Sequence, residues 1–320
     1  MKKPKNKKKF QKFDSKWFEE PKFKKVKVKY SYKNKKYKLW CGKTGKGRKK
    51  PLLVLHGGPG GSHSNLVSLQ ALGFEREVIF FDQLGCGHSD KPDNKSLWIL
   101  DRYVDEVLEV VKHLHLDKYH LIGHSFGAML ATVFASKYSG GLMSLNLASP
   151  ILNMPLYING TMLKLRKALS PECIKIIDDF ELRNIGSSKK YEEAVGEHIK
   201  RHICKLYPNL PKPLTRLKHL YYPQVHDEMI GQNCMSELNI LGNLKETDVS
   251  PLIEEMKPPI LFSCGDHECC PPKDVKTYYK AASNAELHIF KDCRHMTMLE
   301  SPVEFLNVAR NFMVKHEKTK

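Results

Sequence analysis

No run of apolar residues in this 320-residue sequence approaches the roughly 18 to 20 needed to span a bilayer, which excludes a membrane-crossing helix. The cationic opening "MKKPKNKKKFQKF" has no apolar segment behind it, so it does not read as a secretory signal. Paired cysteine spacing is also missing. The nine cysteines are odd in number and scattered from Cys41 to Cys293, the pattern of reduced thiols in a cytoplasmic protein and not of a disulfide framework. Acidic residues are scarce at one end only. Residues 1–50 hold 22 Lys plus Arg against Asp14, Glu19 and Glu20, whereas the other 270 residues carry 31 basic and 32 acidic side chains. The formal charge of +18 therefore belongs to the N-terminal stretch. A nucleic-acid-binding domain would spread such charge over a folded face, so no specific nucleic-acid site is expected. Residues 1–25 read as a lysine-rich, disordered tail able to make a weak polyanion contact.

What is present is the balance of a soluble globular protein, 41% hydrophobic and 28% charged. "VKVKYSYKNKKYKLWC" alternates, with Val26, Val28, Tyr30 and Tyr32 on one face and Tyr37, Leu39 and Cys41 resuming after a polar turn, which predicts a β-hairpin. Continuous apolar strands follow at Leu52–Leu55 and Val78–Phe81, each ending in a glycine-bearing turn. Tyr103, Val107, Val110, Val111 and Leu114 have helical spacing, and "YHLIG" then leads into "FGAMLATVFASKY". Two more strands are expected in "PPILFSCG" and "ELHIFKD". Apolar strands alternating with helices imply an α/β fold, a mostly parallel sheet covered on both faces.

Between Met154 and Ser250 no comparably apolar strand appears. Ser170 is placed to cap one helix, and Tyr191, Val195, His198, Ile199, His202 and Leu206 line one face of another. The expected organisation is a core of residues 26–153 and 251–320 interrupted by a helical cap, residues 154–250. His198 and His202 have a zinc-compatible spacing, but Ile199 stands where a zinc protease needs glutamate, so no metal site and no cofactor are expected.

The chemistry is carried by "HLIGHSFGAML". Gly123-x-Ser125-x-Gly127 lies between a strand and a helix, where a nucleophilic serine stands on a sharp turn and the helix N-terminus faces the developing oxyanion. Serine needs a base that follows in chain order, and His295 in "KDCRHMTMLESP" comes just after the last strand.

"HGGPGGS", "FFDQLGCGHSD", "LIGHSFGAMLA" and "CRHMTMLESP" together resemble the proline iminopeptidases, serine aminopeptidases of the α/β-hydrolase superfamily. The resemblance runs from about Tyr30 to Phe312. It implies an eight-stranded core under a helical cap, and an oxyanion hole made by the N–H groups of Gly58 and Phe126. The Asp82–Gln83 turn reads as structural, shaping the loop beside the site. Two departures stand out. Counting from Gly265 in "CGDHECCPP", the family's triad aspartate falls on Glu268, with Asp266 as the alternative acid. Of two glutamates that hold the substrate amine in the family, one matches Glu237 across a short insertion, and the other position is Cys269. The resemblance thus implies a peptide or small amide substrate whose N-terminal residue, preferentially proline, is released through an acyl-enzyme. An amidase or esterase for small neutral substrates, and a non-catalytic scaffold with a polyanion-binding tail, are the alternatives.

Overall fold

The computed structural model describes residues 10–215 and 220–317. Eight strands form one sheet: β1 (Lys24–Tyr32), β2 (Lys35–Thr44), β3 (Lys49–Leu55), β4 (Arg76–Asp82), β5 (Tyr119–His124), β6 (Leu142–Ala148), β7 (Ile260–Gly265) and β8 (Ala285–Phe290). Their order is β1-β2-β4-β3-β5-β6-β7-β8. The hairpin β1–β2 and the β2–β4 pair are antiparallel, and every later pair is parallel. As the alternation requires, Val28, Tyr30 and Leu39 are buried while the lysines between them face water. Helix α1 (Leu100–His113) and helix α2 (Phe126–Lys137) pack against one another and, with the sheet, enclose the larger of two hydrophobic clusters. This is the α/β-hydrolase architecture, and it brings the C-terminal ends of β3, β5, β7 and β8 to one edge. Among the described residues no helix is long and apolar enough to cross a membrane.

Strand β6 escapes the hydrophobic-run criterion because Ser144 and Asn146 interrupt it. Both are buried; the Ser144 hydroxyl lies 2.7 Å from His120 Nδ1, whereas the Asn146 side-chain amide has no hydrogen-bond partner among the described residues. A polar residue that finds a partner inside does not expel a strand from the core.

The N-terminal stretch corrects the expectation of a disordered tail. Residues 1–9 lie outside the described residues, and the polyanion contact expected of the tail falls largely on them. From residue 10 the chain packs on the core. Phe10 and Phe18 are buried, and Asn307 brackets the Phe10 backbone by accepting its N–H (3.2 Å) and donating to its carbonyl (2.8 Å). Trp17 meets the Phe10 ring edge-on at 5.3 Å. Asp14 caps the short 3-10 turn Ser15–Phe18 by accepting from Lys16 N. Lysine counts hid the aromatic residues spaced among them: the ammonium groups stay in water while the rings bury.

The insertion is stitched closed at its base. Asn153 and Asp248 form an isolated antiparallel bridge, Met154 N donates to Thr247 O at 2.9 Å, and Val249 N to Leu152 O at 2.8 Å. Within it, Ser170 caps helix Pro171–Arg183 by accepting from Cys173 N, and helix Ser188–His198 continues into a wider turn, Ile199–Ile203.

Candidate active site

Ser125 sits between β5 and α2 with φ 55° and ψ −122°, a left-handed conformation unusual for a residue with a side chain. Its neighbours explain how the turn closes. A Cβ on Gly123 would lie 2.1 Å from Gly127 O, and one on Gly127 would lie 2.4 Å from Leu55 O. Only glycine fits at either position, so the two small residues flanking Ser125 are demanded by backbone contact. Phe126, the first residue of α2, has an N–H with no intrahelical acceptor. It lines one cavity with Gly58 and Ser125, so the two expected oxyanion donors and the nucleophile face a common space.

His295 follows β8 and is buried, its ring 4.7 Å from that of His124. His124 Nε2 donates to the His295 carbonyl at 3.0 Å, and burial lowers the pKa of His124 to about 4, so its ring stays neutral. Burial, and secondarily the adjacent His124 ring, lowers the pKa of His295 well below the ordinary imidazole range. A neutral imidazole is the form that accepts a proton. Glu268, after β7, is fully buried and its Oε2 lies 3.9 Å from His295 Nδ1. Burial raises its pKa, while the Ser149 hydroxyl (2.6 Å) and Gly265 N (3.1 Å) donate to Oε2 and favour the anion. Ser149 also lies 3.1 Å from the His295 carbonyl. Sequence reading missed it; its signal was a polar residue at the end of the unrecognised strand β6. Asp266, the alternative acid, points away. Its carboxylate is half-exposed, bonded to His267 Nδ1 at 2.6 Å and to Cys293 N at 3.1 Å.

Cys269 occupies a contact that the sequence did not reveal: its sulfur lies 3.4 Å from His295 Nδ1, nearer than the Glu268 carboxylate. Burial, then the charges of Glu268 and Glu237, pushes this thiol well above its usual range, so it is uncharged. The insertion holds this arrangement from above, since His202 O accepts from both Cys269 N (3.2 Å) and His295 N (3.2 Å). Gln83 N meets His56 Nε2 at 3.2 Å and Gln83 Nε2 donates to His56 O at 3.1 Å, fastening the loop after β4 to the end of β3.

Glu237 lies in the insertion yet lines the same cavity as Ser125, among Met129, Ile151, Met154 and Tyr157. Among the described residues it is the one carboxylate lining that cavity, partly exposed, with Oε1 3.9 Å from His226 Nε2. Glu228, another acidic residue of the insertion, lines a separate cavity of about 610 Å³ with Glu181 and Asp227.

Comparison with known proteins places this geometry. The α/β-hydrolase fold model matches residues 50–172. The proline iminopeptidase of Heyndrickxia coagulans is 33% identical over 264 residues, 82% of this chain and 90% of that protein. That of Clostridium botulinum is 34% identical over 275 residues, 85% and 92% of the respective chains. The chain belongs to the proline iminopeptidase family. Among solved structures, the proline iminopeptidase of Mycobacterium smegmatis superposes with a TM-score of 0.81 at 28% identity, covering 92% of this chain and 98% of that one. VinJ matches with the same TM-score at 26% identity, covering 91% and 98%. Each match covers more than nine-tenths of this chain.

Proposed function

We propose that the protein is a serine aminopeptidase that releases an N-terminal residue, preferentially proline, from peptides. The observation that carries this reading is the shared cavity: a nucleophile at one side, a lone carboxylate from the cap at the other, and apolar walls between. Ser125 Oγ attacks the carbonyl of the first residue while His295 takes its proton. The N–H groups of Gly58 and Phe126 receive the oxyanion, which strengthens their hydrogen bonds as charge develops. Glu268 stabilises the imidazolium, and His295 returns the proton to the departing amine. Water then repeats the sequence on the acyl-enzyme.

Glu237 supplies what distinguishes an aminopeptidase from an esterase. An N-terminal ammonium entering a partly desolvated pocket needs a carboxylate partner. The apolar walls suit a pyrrolidine ring. In its present state the cavity holds about 30 Å³, room for a water molecule or two, so substrate enters when the cap moves. The free state of all nine cysteines agrees with a reducing, cytoplasmic setting.

Glu237→Gln is expected to lower kcat/KM for prolyl arylamides by about 10- to 100-fold, the range for a charge-assisted hydrogen bond of about 1.5–3 kcal/mol. Hydrolysis of an uncharged aryl ester should barely change, because that substrate has no ammonium to hold. Equal losses on both substrates would assign Glu237 to the fold instead. No loss on either would favour the neutral amidase or esterase reading, to which the uncharged Cys269 at the second amine-binding position already lends some support.

A further inference from the structure

We propose that Glu20, His63 and His88 form a site for one divalent transition-metal ion of the zinc class, which fastens the N-terminal segment to the loops after β3 and β4. The three side chains come from separate stretches of chain, yet their ligand atoms all lie within 4.8 Å of one another. Glu20 Oε1 is 3.9 Å from His63 Nε2 and 3.7 Å from His88 Nε2, too long for hydrogen bonds. Ligands about 2.0 Å from a tetrahedral ion stand about 3.3 Å apart, so a small contraction suffices. Glu20 is partly exposed and free to supply it.

The state of His63 is the decisive feature. Asp82 accepts from its Nδ1, with its two oxygens at 2.9 and 3.0 Å, which fixes the ring and turns Nε2 toward Glu20 and His88. His63 is fully buried, and Nε2 has no hydrogen-bond partner among the described residues. A buried ring nitrogen without a partner is a cost that a bound ion would remove. His88 approaches from the loop after β4, its ring centroid 5.7 Å from that of His63 and its Nε2 3.7 Å from Glu20 Oε1. Two imidazoles and a carboxylate converging on one point are a donor set suited to zinc, with water as fourth ligand.

Behind these ligands stands the outer shell that metal sites use. Besides His63 Nδ1, Asp82 accepts His63 N at 2.8 Å and His88 N at 2.9 Å, tying both ligand-bearing loops to one carboxylate. Trp40 and Phe23 wall the site, with ring centroids 4.6 and 5.2 Å from His63 and Trp40 respectively. None of the three ligands lines the Ser125 cavity, so the ion would act on the anchoring of the N-terminal segment and not on the reaction.

The test uses the untagged full-length chain, stripped with chelator and titrated with Zn²⁺ alone, then with Co²⁺. The proposal expects one ion per chain, a Kd on the order of 1 μM or tighter, and cobalt absorption typical of four-coordination. Zinc should also slow tryptic cleavage at Lys12 and Lys16. Glu20→Gln and His88→Ala should each weaken binding by at least the ~10- to 100-fold that loss of an outer-shell partner costs. His88 is half-exposed and its contact with Asp82 runs through the backbone, so this variant is expected to fold even if a His63 variant does not. Absence of binding at ~100 μM zinc would overturn the proposal. So would binding that survives both substitutions, which would place the ion elsewhere, for instance on His198 and His202.

Discussion

Ser125→Ala should leave the protein folded and abolish turnover of arylamides and esters alike, by about 10⁴-fold or more. The expectation rests on what the elbow is built for. Its positive φ and the two glycines that admit it position one hydroxyl at the mouth of the cavity, and alanine keeps the Cβ that the backbone already accommodates. Among the described residues lining that cavity, Ser125 carries the one aliphatic hydroxyl and there is no thiol, while Cys269 lies outside it, held protonated by burial against His295 Nδ1. His295→Ala should be nearly as damaging, because a serine hydroxyl without a base is a poor nucleophile. The two losses should not add, as residues acting as one unit fail together. The direct check is steady-state kinetics alongside labelling by a fluorophosphonate. Wild type should label and Ser125→Ala should not. Appreciable turnover by the Ser125→Ala protein would remove the serine mechanism altogether.

Glu268→Gln is expected to cost on the order of 10³- to 10⁴-fold in kcat, whereas Asp266→Asn should stay within a few-fold of wild type. Glutamine keeps the shape, and its carbonyl oxygen can still accept from the Ser149 hydroxyl and Gly265 N–H that now serve Oε2, but without a charge it cannot stabilise an imidazolium. Asp266 is turned to His267 and the Cys293 backbone, at the surface end of the same loop. As it stands, Glu268 is 3.9 Å from His295 Nδ1, and apo sites often tighten only when substrate binds. Circular dichroism and melting curves on both variants would separate a catalytic loss from unfolding. A severe Asp266→Asn and a mild Glu268→Gln would reverse the assignment.

The parts of this molecule that obey backbone rules were the easiest to read from sequence. The alternation in β1 and β2, the apolar strands β3, β4 and β5, and the glycines around Ser125 each follow from a local requirement, and each appears where expected. His295 was legible because the order of strands fixes which loops can reach the elbow. Long-range satisfaction was not legible. Ser144 and Asn146 made β6 look too polar for a core strand, since the His120 partner of Ser144 is 24 residues away. Phe10 and Trp17 were lost among lysines, because the residue that pins the segment, Asn307, lies at the other end of the chain. The contact of Cys269 with His295 depends on how two loops meet under the His202 carbonyl, which no spacing encodes. Glu237 was singled out through family resemblance alone; its chain neighbours give no hint that it lines the cavity of Ser125.

The central claim, that this is a proline-preferring aminopeptidase, is tested most directly by kcat/KM for three substrates at one pH: prolyl arylamide, leucyl arylamide and a simple aryl ester. A pocket shaped around a small ring and a lone carboxylate should favour prolyl over leucyl arylamide by about 10-fold or more, the discrimination expected of an apolar pocket. N-acetylation of the prolyl substrate should largely abolish its hydrolysis, because the ammonium that Glu237 holds is gone. Rapid hydrolysis of the ester, with neither arylamide cleaved, would contradict the account.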